Sequence, residues 1–301
     1  MPAEAIRTEA LSKAFRGRPA VSGVDLRVAP GSVYAFLGPN GAGKSTTIRM
    51  LLALLRADAG RITLFGLPLR EHRLDILRRT GSLVETPSSY PHLTARENLE
   101  IARRILGAPR SDVERVLGVV GLTQTGRKLV RAFSLGMRQR LGLAQALLGG
   151  RELLILDEPT NGLDPAGITE VRELIRQLPR EHGITVFLSS HLLGEVEQTA
   201  THVGILSQGA MVFQGAVADL AGLRRSRLRI RVTRPGDALA LLTARGLAVE
   251  ANEDALTVAD VEAAARINRI LVEAGHDVRH LAVETASLED VFLGLTKSEM
   301  H

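Results

Sequence analysis

The sequence predicts an α/β fold followed by a smaller α+β domain, and two patterns carry this prediction. Up to about Gly215, short apolar runs such as Val33–Leu37, Leu153–Leu156 and Ile184–Leu188 alternate with longer segments of helical period. Continuous apolar strands of this kind are typical of a parallel sheet that is covered on both faces. After Gly215 the alternation restarts with shorter elements, which predicts a second, smaller domain.

The second domain has the predicted order β-α-β-β-α-β, which is typical of a ferredoxin-like sandwich. Its predicted strands are Leu228–Val232, Ala248–Glu250, Ala255–Val258 and Val278–Val283. Its predicted helices are Gly236–Ala244, Val261–Ala274 and a last helix that begins at Ser287. We therefore divide the chain into a first domain of residues 1–215, a linker of residues 216–226 and an accessory or regulatory domain of residues 227–301.

Two helix starts interrupt the strands of the first domain. Thr94-Ala95-Arg96-Glu97 and Ser111-Asp112-Val113-Glu114 each match a capping box, in which a hydroxyl and a glutamate three residues later satisfy free backbone N–H groups. The pair predicts a helical insertion from roughly Pro91 to Gly121, within a helical subdomain of about residues 86–145.

Composition limits the classes of function that need to be considered. The hydrophobic fraction of 45% and the charged fraction of 24% are ordinary for a soluble protein, and no run approaches the roughly 18 apolar residues of a membrane helix. The chain contains no cysteine, which excludes disulfides and thiolate metal sites and fits a cytoplasmic protein. Although the formal charge is +5, aromatic residues make up only 3%, so we expect no nucleic-acid partner.

A phosphate-binding pattern follows the first apolar strand directly. The pattern G-x-x-x-x-G-K-[ST] is matched by Gly38, Pro39, Asn40, Gly41, Ala42, Gly43, Lys44 and Ser45, and Thr46 continues into a helix. Glycines allow successive backbone N–H groups to face phosphate oxygens, and the helix N-terminus adds its positive dipole end. Lys44 supplies charge for the outer phosphates, and Ser45 supplies an oxygen ligand for Mg²⁺. The alternative is a glycine-rich turn that binds no ligand.

Two carboxylates follow the apolar strand Leu153–Leu156. Asp157 is predicted to hold Mg²⁺, and Glu158 is predicted to polarise the attacking water. The carboxyl edge of an α/β sheet is where such proteins bind ligands. An acidic pair at a strand end also caps helices in many proteins, so the prediction depends on the phosphate-binding pattern being present as well.

Three further motifs resemble one family of P-loop nucleotide hydrolases. Phe133–Arg140 resembles the signature sequence of ABC-transporter ATPases, whose usual form is L-S-G-G-Q followed by a basic residue, Gln and Arg. Asn161–Pro165 resembles the D-loop of that family, and Ser189–His191 resembles its switch histidine. Together with the two motifs above, they follow the family order over about residues 11–214. The chain is therefore identified as resembling the ATP-binding subunits of ABC transporters.

The resemblance implies a site that two copies of the chain complete. Lys44, Glu158 and His191 are then the catalytic residues, with His191 touching the γ-phosphate. Ser134 and Gly136 are expected to hold the γ-phosphate of ATP bound to the opposite subunit, and Asp164 to line the seam. This arrangement implies a homodimer with Mg-ATP sandwiched between the subunits.

Two site predictions keep alternatives. Phe15 lies where the family places an aromatic ring against adenine, although a half-buried core role is the alternative. Glu85 stands where most members have a Gln beside Mg²⁺. A carboxylate can ligate Mg²⁺ at least as well as an amide, but it could also bind water less responsively. In the signature, Leu135 and Met137 replace a Gly and the Gln, which leaves Ser134 and Gly136 as the phosphate-facing pair.

Softer similarities indicate a branch of the family. Glu85, the segment Pro87–Thr94 and the altered signature look like ATPases of antibiotic and lantibiotic self-protection exporters, and Ala286–Leu293 looks like the tail of drug-export ATPases. This implies a separate transmembrane permease, docked near Tyr90–Glu97, and a location at the cytoplasmic face of the membrane.

Two other classes of protein remain as alternatives. One is a soluble ATPase of the same fold that acts on ribosomes or DNA, and the other is a regulatory protein with a degenerate site. For the C-terminal domain, dimer stabilisation or regulation is the hypothesis, and its acids Glu284, Glu289 and Asp290 are interpreted as helix-start and surface charges.

Overall fold

The computed structural model of the chain describes residues 4–84, 88–252 and 255–297. Its strands in chain order are β1 (Ile6–Phe15), β2 (Arg18–Val24), β3 (Arg27–Val28), β4 (Val33–Leu37), β5 (Ala59–Leu64), β6 (Leu67–Pro68), β7 (Thr80–Leu83), β8 (Leu153–Leu156), β9 (Thr185–Ser190), β10 (His202–Ser207), β11 (Ala210–Ala216), β12 (Ser226–Val232), β13 (Val249–Asn252), β14 (Ala255–Val258) and β15 (Val278–Thr285). Its α-helices are α1 (Lys44–Leu51), α2 (Arg73–Arg79), α3 (Ala95–Leu106), α4 (Ser111–Val119), α5 (Leu135–Leu147), α6 (Pro165–His182), α7 (Leu193–Thr199), α8 (Val217–Gly222), α9 (Pro235–Ala244), α10 (Ala264–Glu273) and α11 (Leu288–Lys297). The described residues form two compact units, one up to Val217 together with the chain end from Leu295, and the other over Ala218–Gly294.

A mostly parallel sheet forms the centre of the larger unit, with strand order β11-β10-β4-β9-β8-β7. The three adjacent strands β4, β9 and β8 are parallel and buried along their entire length, as the apolar sequence runs predict. Tyr34 and Phe36 pack on Phe187 across β4 and β9, with ring centroids 5.6 and 5.5 Å apart. Because parallel strands end at the same edge of a sheet, the loops after β4, β9 and β8 lie side by side. The predicted α/β core is confirmed.

An antiparallel sheet near the N-terminus was not predicted from the sequence. It has the order β2-β1-β5-β6, and β3 pairs with β1. Alternation in β1 buries Ile6 while Arg7 and Glu9 stay at the surface, where they form an ion pair of 2.8 Å. The pairing of β1 with β5 then shifts after Glu9, and Ala10 has a positive φ of 47°. This irregularity interrupts the period-2 pattern that would identify the strand.

The helical insertion contains α3 and α4, and only one of its two predicted capping boxes is correct. Thr94 caps α3 as predicted, because its hydroxyl accepts from the Glu97 N–H and the Glu97 carboxylate accepts from the Thr94 N–H at 2.8 Å. The capping box at Ser111 is wrong. The preceding residue, Arg110, already has helical dihedral angles, so Ser111 lies inside the first turn of α4 and cannot act as its cap.

The smaller unit follows the predicted order β-α-β-β-α-β, from β12 to β15, and its antiparallel sheet has the order β13-β14-β12-β15. Leu228 and Ile230 of β12 face the core with residues of α9 and α10. The predicted helix at Val261 begins three residues later, at Ala264, and the predicted linker contains the short helix α8. Asp290 has the expected helix-start role, since it exchanges hydrogen bonds with Ser287 before α11.

Candidate active site

The loop between β4 and α1 brings backbone N–H groups to the carboxyl edge of the sheet. Gly43 takes a φ of 106°, and a Cβ built on it would lie 2.4 Å from the Ala20 carbonyl oxygen, so only glycine fits. Gly38 is equally restricted, because a Cβ there would lie 2.4 Å from the carbonyl oxygen of Leu206. The first turn of α1 contains no acidic residue, which leaves the positive end of the helix dipole uncompensated. These features fit a polyphosphate.

Lys44 crosses this loop instead of pointing to solvent. Its ammonium group donates to the carbonyl oxygens of Gly38 at 2.8 Å and Pro39 at 3.3 Å, and its side chain is only 6% exposed. Glu158 Oε1 lies 3.5 Å from the same nitrogen. The lysine predicted from the loop and the glutamate predicted from β8 therefore lie together.

Ser189, the fifth residue of β9, holds both acids at the end of β8. Its hydroxyl donates to Asp157 Oδ1 at 2.5 Å and accepts from the Glu158 N–H at 2.9 Å. The Ser189 side chain is fully buried, so both bonds are partly sheltered from water. Ser189 was noted in the sequence only as part of the switch motif, and its role in fixing the acids was not predicted.

Glu158 and His191 form a second contact at this edge. His191 Nδ1 lies 2.9 Å from Glu158 Oε2, although the two residues are 33 positions apart in the chain. Glu158 has a φ of 49°, which is uncommon for a residue with a side chain and marks local backbone strain. The hydrogen bond from its N–H to Ser189 holds this conformation. Two of the predicted catalytic residues, Lys44 and His191, thus both contact the carboxylate of the third, Glu158.

The N-termini of α5 and α6 form a separate group of predicted site residues. Ser134 caps α5 by accepting from the Met137 N–H, and Asp164 caps α6 by accepting from the Gly167 N–H at 3.0 Å. A Cβ built on Gly136 would lie 3.6 Å from Gly167 Cα, so the two helix starts are in close contact. Gly167, where a Cβ would lie 2.8 Å from the capping oxygen Asp164 Oδ1, was not noticed in the sequence.

This second group is not joined to the first within one chain. In residues 4–84, 88–252 and 255–297, no hydrogen bond or ion pair links Ser134 or Asp164 to Lys44 or Glu158. The structure therefore brings the predicted residues together in two clusters rather than one.

Phe15 and Ser45 are two further predicted residues, and within the described part of the chain neither is hydrogen-bonded to a residue of the two clusters. Phe15 ends β1 with 47% of its surface exposed, and the Lys13 ammonium lies 5.7 Å from its ring centroid. Exposure argues against the half-buried core role. Ser45 is exposed in the first turn of α1, and none of the described residues forms a hydrogen bond with its hydroxyl. Glu85 lies outside the described residues, so its predicted role beside Mg²⁺ stays a prediction.

Comparison with known proteins identifies the family. Residues 21–161 match the family model described as ABC transporter. A bacitracin transport ATP-binding protein of Bacillus licheniformis is 42% identical over 295 residues, which cover 96% of this chain and 96% of that protein. The chain belongs to the ABC transporter ATP-binding proteins. It is accordingly an ATPase, and the predicted resemblance is confirmed.

Two further similarities agree with this assignment of the ABC ATPase. A lantibiotic transport ATP-binding protein of Streptococcus pyogenes is 41% identical over 209 residues, which cover 69% of this chain and 90% of that protein. A solved protein from Clostridium perfringens, described as part of an ABC transporter complex, superposes with a TM-score of 0.68 at 25% identity, covering 73% of this chain and 91% of that one. The relatives therefore include the antibiotic and lantibiotic branch that the sequence motifs indicate.

Among the described residues, none of the helices combines the length and the apolar composition needed to cross a bilayer.

Proposed function

We propose that this ABC ATPase powers the export of an antibiotic, drug or peptide through a separate membrane permease. The observation that carries the ATP-hydrolysing part of the proposal is the convergence of Lys44 and His191 on Glu158 at the carboxyl edge of the sheet, 3.5 and 2.9 Å from its two oxygens. A carboxylate between two cationic or hydrogen-bonding groups is an arrangement suited to phosphoryl transfer to water.

The proposed ATP site uses the loop before α1. Its backbone N–H groups and the α1 N-terminus hold the phosphates, and the Lys44 ammonium neutralises their charge. Magnesium is supported by the chemistry of its donors, since the Asp157 carboxylate and the Ser45 hydroxyl both supply the oxygen ligands that this ion prefers. Bound there, Mg²⁺ would neutralise charge on the outer phosphates. Phe15 is proposed to stack on adenine, because an exposed ring beside Lys13 offers a free face.

Hydrolysis requires a base that activates the attacking water and groups that stabilise the developing charge. Glu158 is proposed to orient the attacking water and to accept its proton. Lys44 and His191 are proposed to stabilise the charge that develops on the γ-phosphate oxygens. Ser189 keeps Glu158 in place during this step through the buried hydrogen bond to its N–H.

A second copy of the chain is proposed to complete each site. Ser134 and Gly136 begin α5, and their hydroxyl and N–H groups fit a γ-phosphate, yet they belong to a different cluster from Lys44. A head-to-tail homodimer would bring the α5 start of one copy to the Lys44 loop of the other, with Asp164 at the seam. Two ATP molecules would then lie between the subunits.

The membrane partner and the direction of transport are inferred from relatives. The two relatives described above are named for bacitracin and lantibiotic transport. These names favour an exporter ATPase held at the cytoplasmic face of the membrane by its permease, and they give no support to an action on ribosomes or DNA. The proposed docking region is the start of the helical insertion, Tyr90–Glu97, where Tyr90 is 54% exposed.

The proposed domains are residues 1–215, with a helical subdomain of about residues 86–145, and residues 227–301. We retain dimer stabilisation or regulation as the hypothesis for the second of these. Deletion of the residues after Gly222 tests it, with weaker ATP-dependent dimerisation or altered transport expected. Unchanged dimerisation together with unchanged transport would exclude both roles.

Expression together with the neighbouring permease gene in a sensitive host tests the proposed function. The pair should raise the tolerated concentration of one or more antibiotics in a panel that includes bacitracin, a lantibiotic and an anthracycline. Lys44→Ala in the same pair should remove this protection, since the phosphates lose their principal cation. Protection that persists with Lys44→Ala, or a permease that does not copurify with the chain, would contradict the proposal.

A further inference from the structure

A second pair of residues joins the segment after Glu158 to the segment after His191. The hydroxyl of Thr160 donates to Glu195 Oε2 at 2.6 Å, across 35 positions of the chain. Thr160 lies two residues after Glu158, and Glu195 lies four residues after His191 in the first turn of α7. The two segments are thus linked twice, once by the proposed catalytic residues themselves and once by this pair.

The His191–Glu158 contact and the Thr160–Glu195 bond differ in whether bound phosphate and water would replace them. His191 and Glu158 face the proposed phosphate site, so a γ-phosphate and the attacking water would take over the atoms that now bind each other. Thr160 and Glu195 line a small pocket between α6, β9 and α7, together with the apolar side chains of Ile175, Leu188 and Val196. Their bond is partly sheltered from water and does not use an atom that the phosphate needs.

The helix that carries Glu195 is short, and its side-chain bonds to other segments include that of Glu195 to Thr160 and that of Gln198 to Arg172. Leu193 and Val196 are its buried side chains, and the Thr199 hydroxyl donates to the Glu195 carbonyl oxygen at 2.7 Å. A helix of seven residues has little stability of its own. The Thr160 bond therefore has a direct effect on where α7, and the His191 loop before it, can lie.

We propose that Thr160 and Glu195 are positioning residues, which hold His191 and Glu158 at a fixed separation while phosphate and water replace their direct contact. This inference rests on the proposed function of the site. Neither residue touches the proposed substrate, so their loss affects the rate of hydrolysis and leaves ATP binding unchanged.

Steady-state ATPase kinetics of Thr160→Val, which removes the hydroxyl and keeps the shape, test the inference. We expect kcat to fall about tenfold, the effect of losing one hydrogen bond to a charged group, while the KM for ATP stays within about twofold. Thr160→Ser should recover most of the rate, because it restores the donor. Glu195→Gln keeps an acceptor oxygen and should lose less than Glu195→Met, which has none.

A double-mutant cycle separates this bond from general damage. Thr160→Val combined with Glu195→Met should be no slower than the slower single variant, because each change removes the same bond. Thr169→Val is the matched control, since the Thr169 hydroxyl donates to Pro165 within α6 and away from the pocket. Should Thr160→Val fail to fold in a thermal melt, Glu195→Met against Glu195→Gln reports on the same bond.

The outcomes distinguish this inference from the proposed function. Additive effects in the cycle, a loss of ATP affinity in place of kcat, or full activity of Thr160→Val in an active protein would overturn the inference alone. A wild-type chain that hydrolyses no ATP, alone or with its permease, would overturn the proposed function and the inference together.

Discussion

Ser189 Oγ lies 2.5 Å from Asp157 Oδ1, and the same oxygen accepts the N–H of Glu158 at 2.9 Å. One fully buried hydroxyl therefore fixes the side chain of one acid and the backbone of the next. Since Ser189 lies on β9 and the acids follow β8, this bond ties together the two strand ends that deliver the proposed Mg²⁺ ligand and the proposed base.

Ser189→Ala should lower ATPase activity with little change in overall fold. The variant leaves the Glu158 N–H without its acceptor, a loss of about 1–3 kcal/mol for a buried group, and frees the Asp157 carboxylate. We expect kcat to fall at least about tenfold and the Mg²⁺ concentration for half-maximal activity to rise. Titration of Mg²⁺ at saturating ATP measures both. Ser32→Ala, which removes a buried hydroxyl bonded to the Ala29 carbonyl, should leave the Mg²⁺ titration unchanged.

Gly167→Ala should disturb the start of α6. A Cβ at this position would lie 2.8 Å from Asp164 Oδ1, the oxygen that caps the helix, and it would face Gly136 across the contact between α5 and α6. Loss of the cap costs about 1 kcal/mol, and we expect a lower melting temperature and reduced ATPase activity.

Gly118→Ala is the matched control for that substitution. Gly118 also lies inside a helix, α4, but a Cβ there would meet no atom within 4 Å. Alanine is the better helix former by about 1 kcal/mol, so this variant should melt at the same or a higher temperature. If Gly167→Ala behaves like Gly118→Ala, the space that Gly167 leaves for the capping oxygen of Asp164 has no energetic importance.

The lowered pKa of Glu100 in the helical insertion predicts that the stability of the folded chain depends on pH. Hydrogen bonds from Arg103 and Arg104 lower the pKa of this carboxyl from 4.5 to about 2. Because the pKa in the folded chain lies below that in the unfolded chain, the stabilising contribution is complete above pH 4.5 and is lost as the pH falls from 4.5 towards 2.

Glu100→Gln should therefore melt slightly below wild type at pH 7, by about 1 °C for an exposed pair, and the difference should shrink at pH 3. Thermal melts at both pH values measure it. Glu71→Gln is the control, because the Glu71 carboxylate makes no ion pair among the described residues. A difference that grows as the pH falls would contradict the assignment to Glu100.

The sequence was sufficient to predict which residues meet at the carboxyl edge of the sheet, because each lies in or directly after a motif at the end of an apolar strand. Lys44, Glu158 and His191 follow β4, β8 and β9, and adjacency of these parallel strands brings them together. What links them was not predictable. The bond of Ser189 to Asp157 depends on the register of β9 against β8, and that of Thr160 to Glu195 depends on the path of a loop.

Prediction of the fold failed at two places. At one the alternation of a strand is interrupted, and at the other a capping-box motif does not cap its helix. The antiparallel sheet was missed because the positive φ of Ala10 breaks the alternation of β1. The capping box at Ser111 had the correct residues, but the turn from Pro109 begins earlier, as the Asp112 N–H bond to the Pro109 carbonyl indicates. Asp112 instead accepts the N–H of Gly149, beyond the end of α5, a partner 37 positions away that no local pattern encodes.

The oligomeric state and ATPase activity of Glu158→Gln test the central claim most directly. An amide keeps the shape of Glu158 and cannot accept a proton, so ATP should bind and remain uncleaved between two subunits. Light scattering with ATP and Mg²⁺ should show a dimer. This dimer should retain two ATP molecules and should have lost hydrolysis. Lys44→Ala added to this variant should return it to a monomer. Monomers that hydrolyse ATP at the wild-type rate would contradict the account.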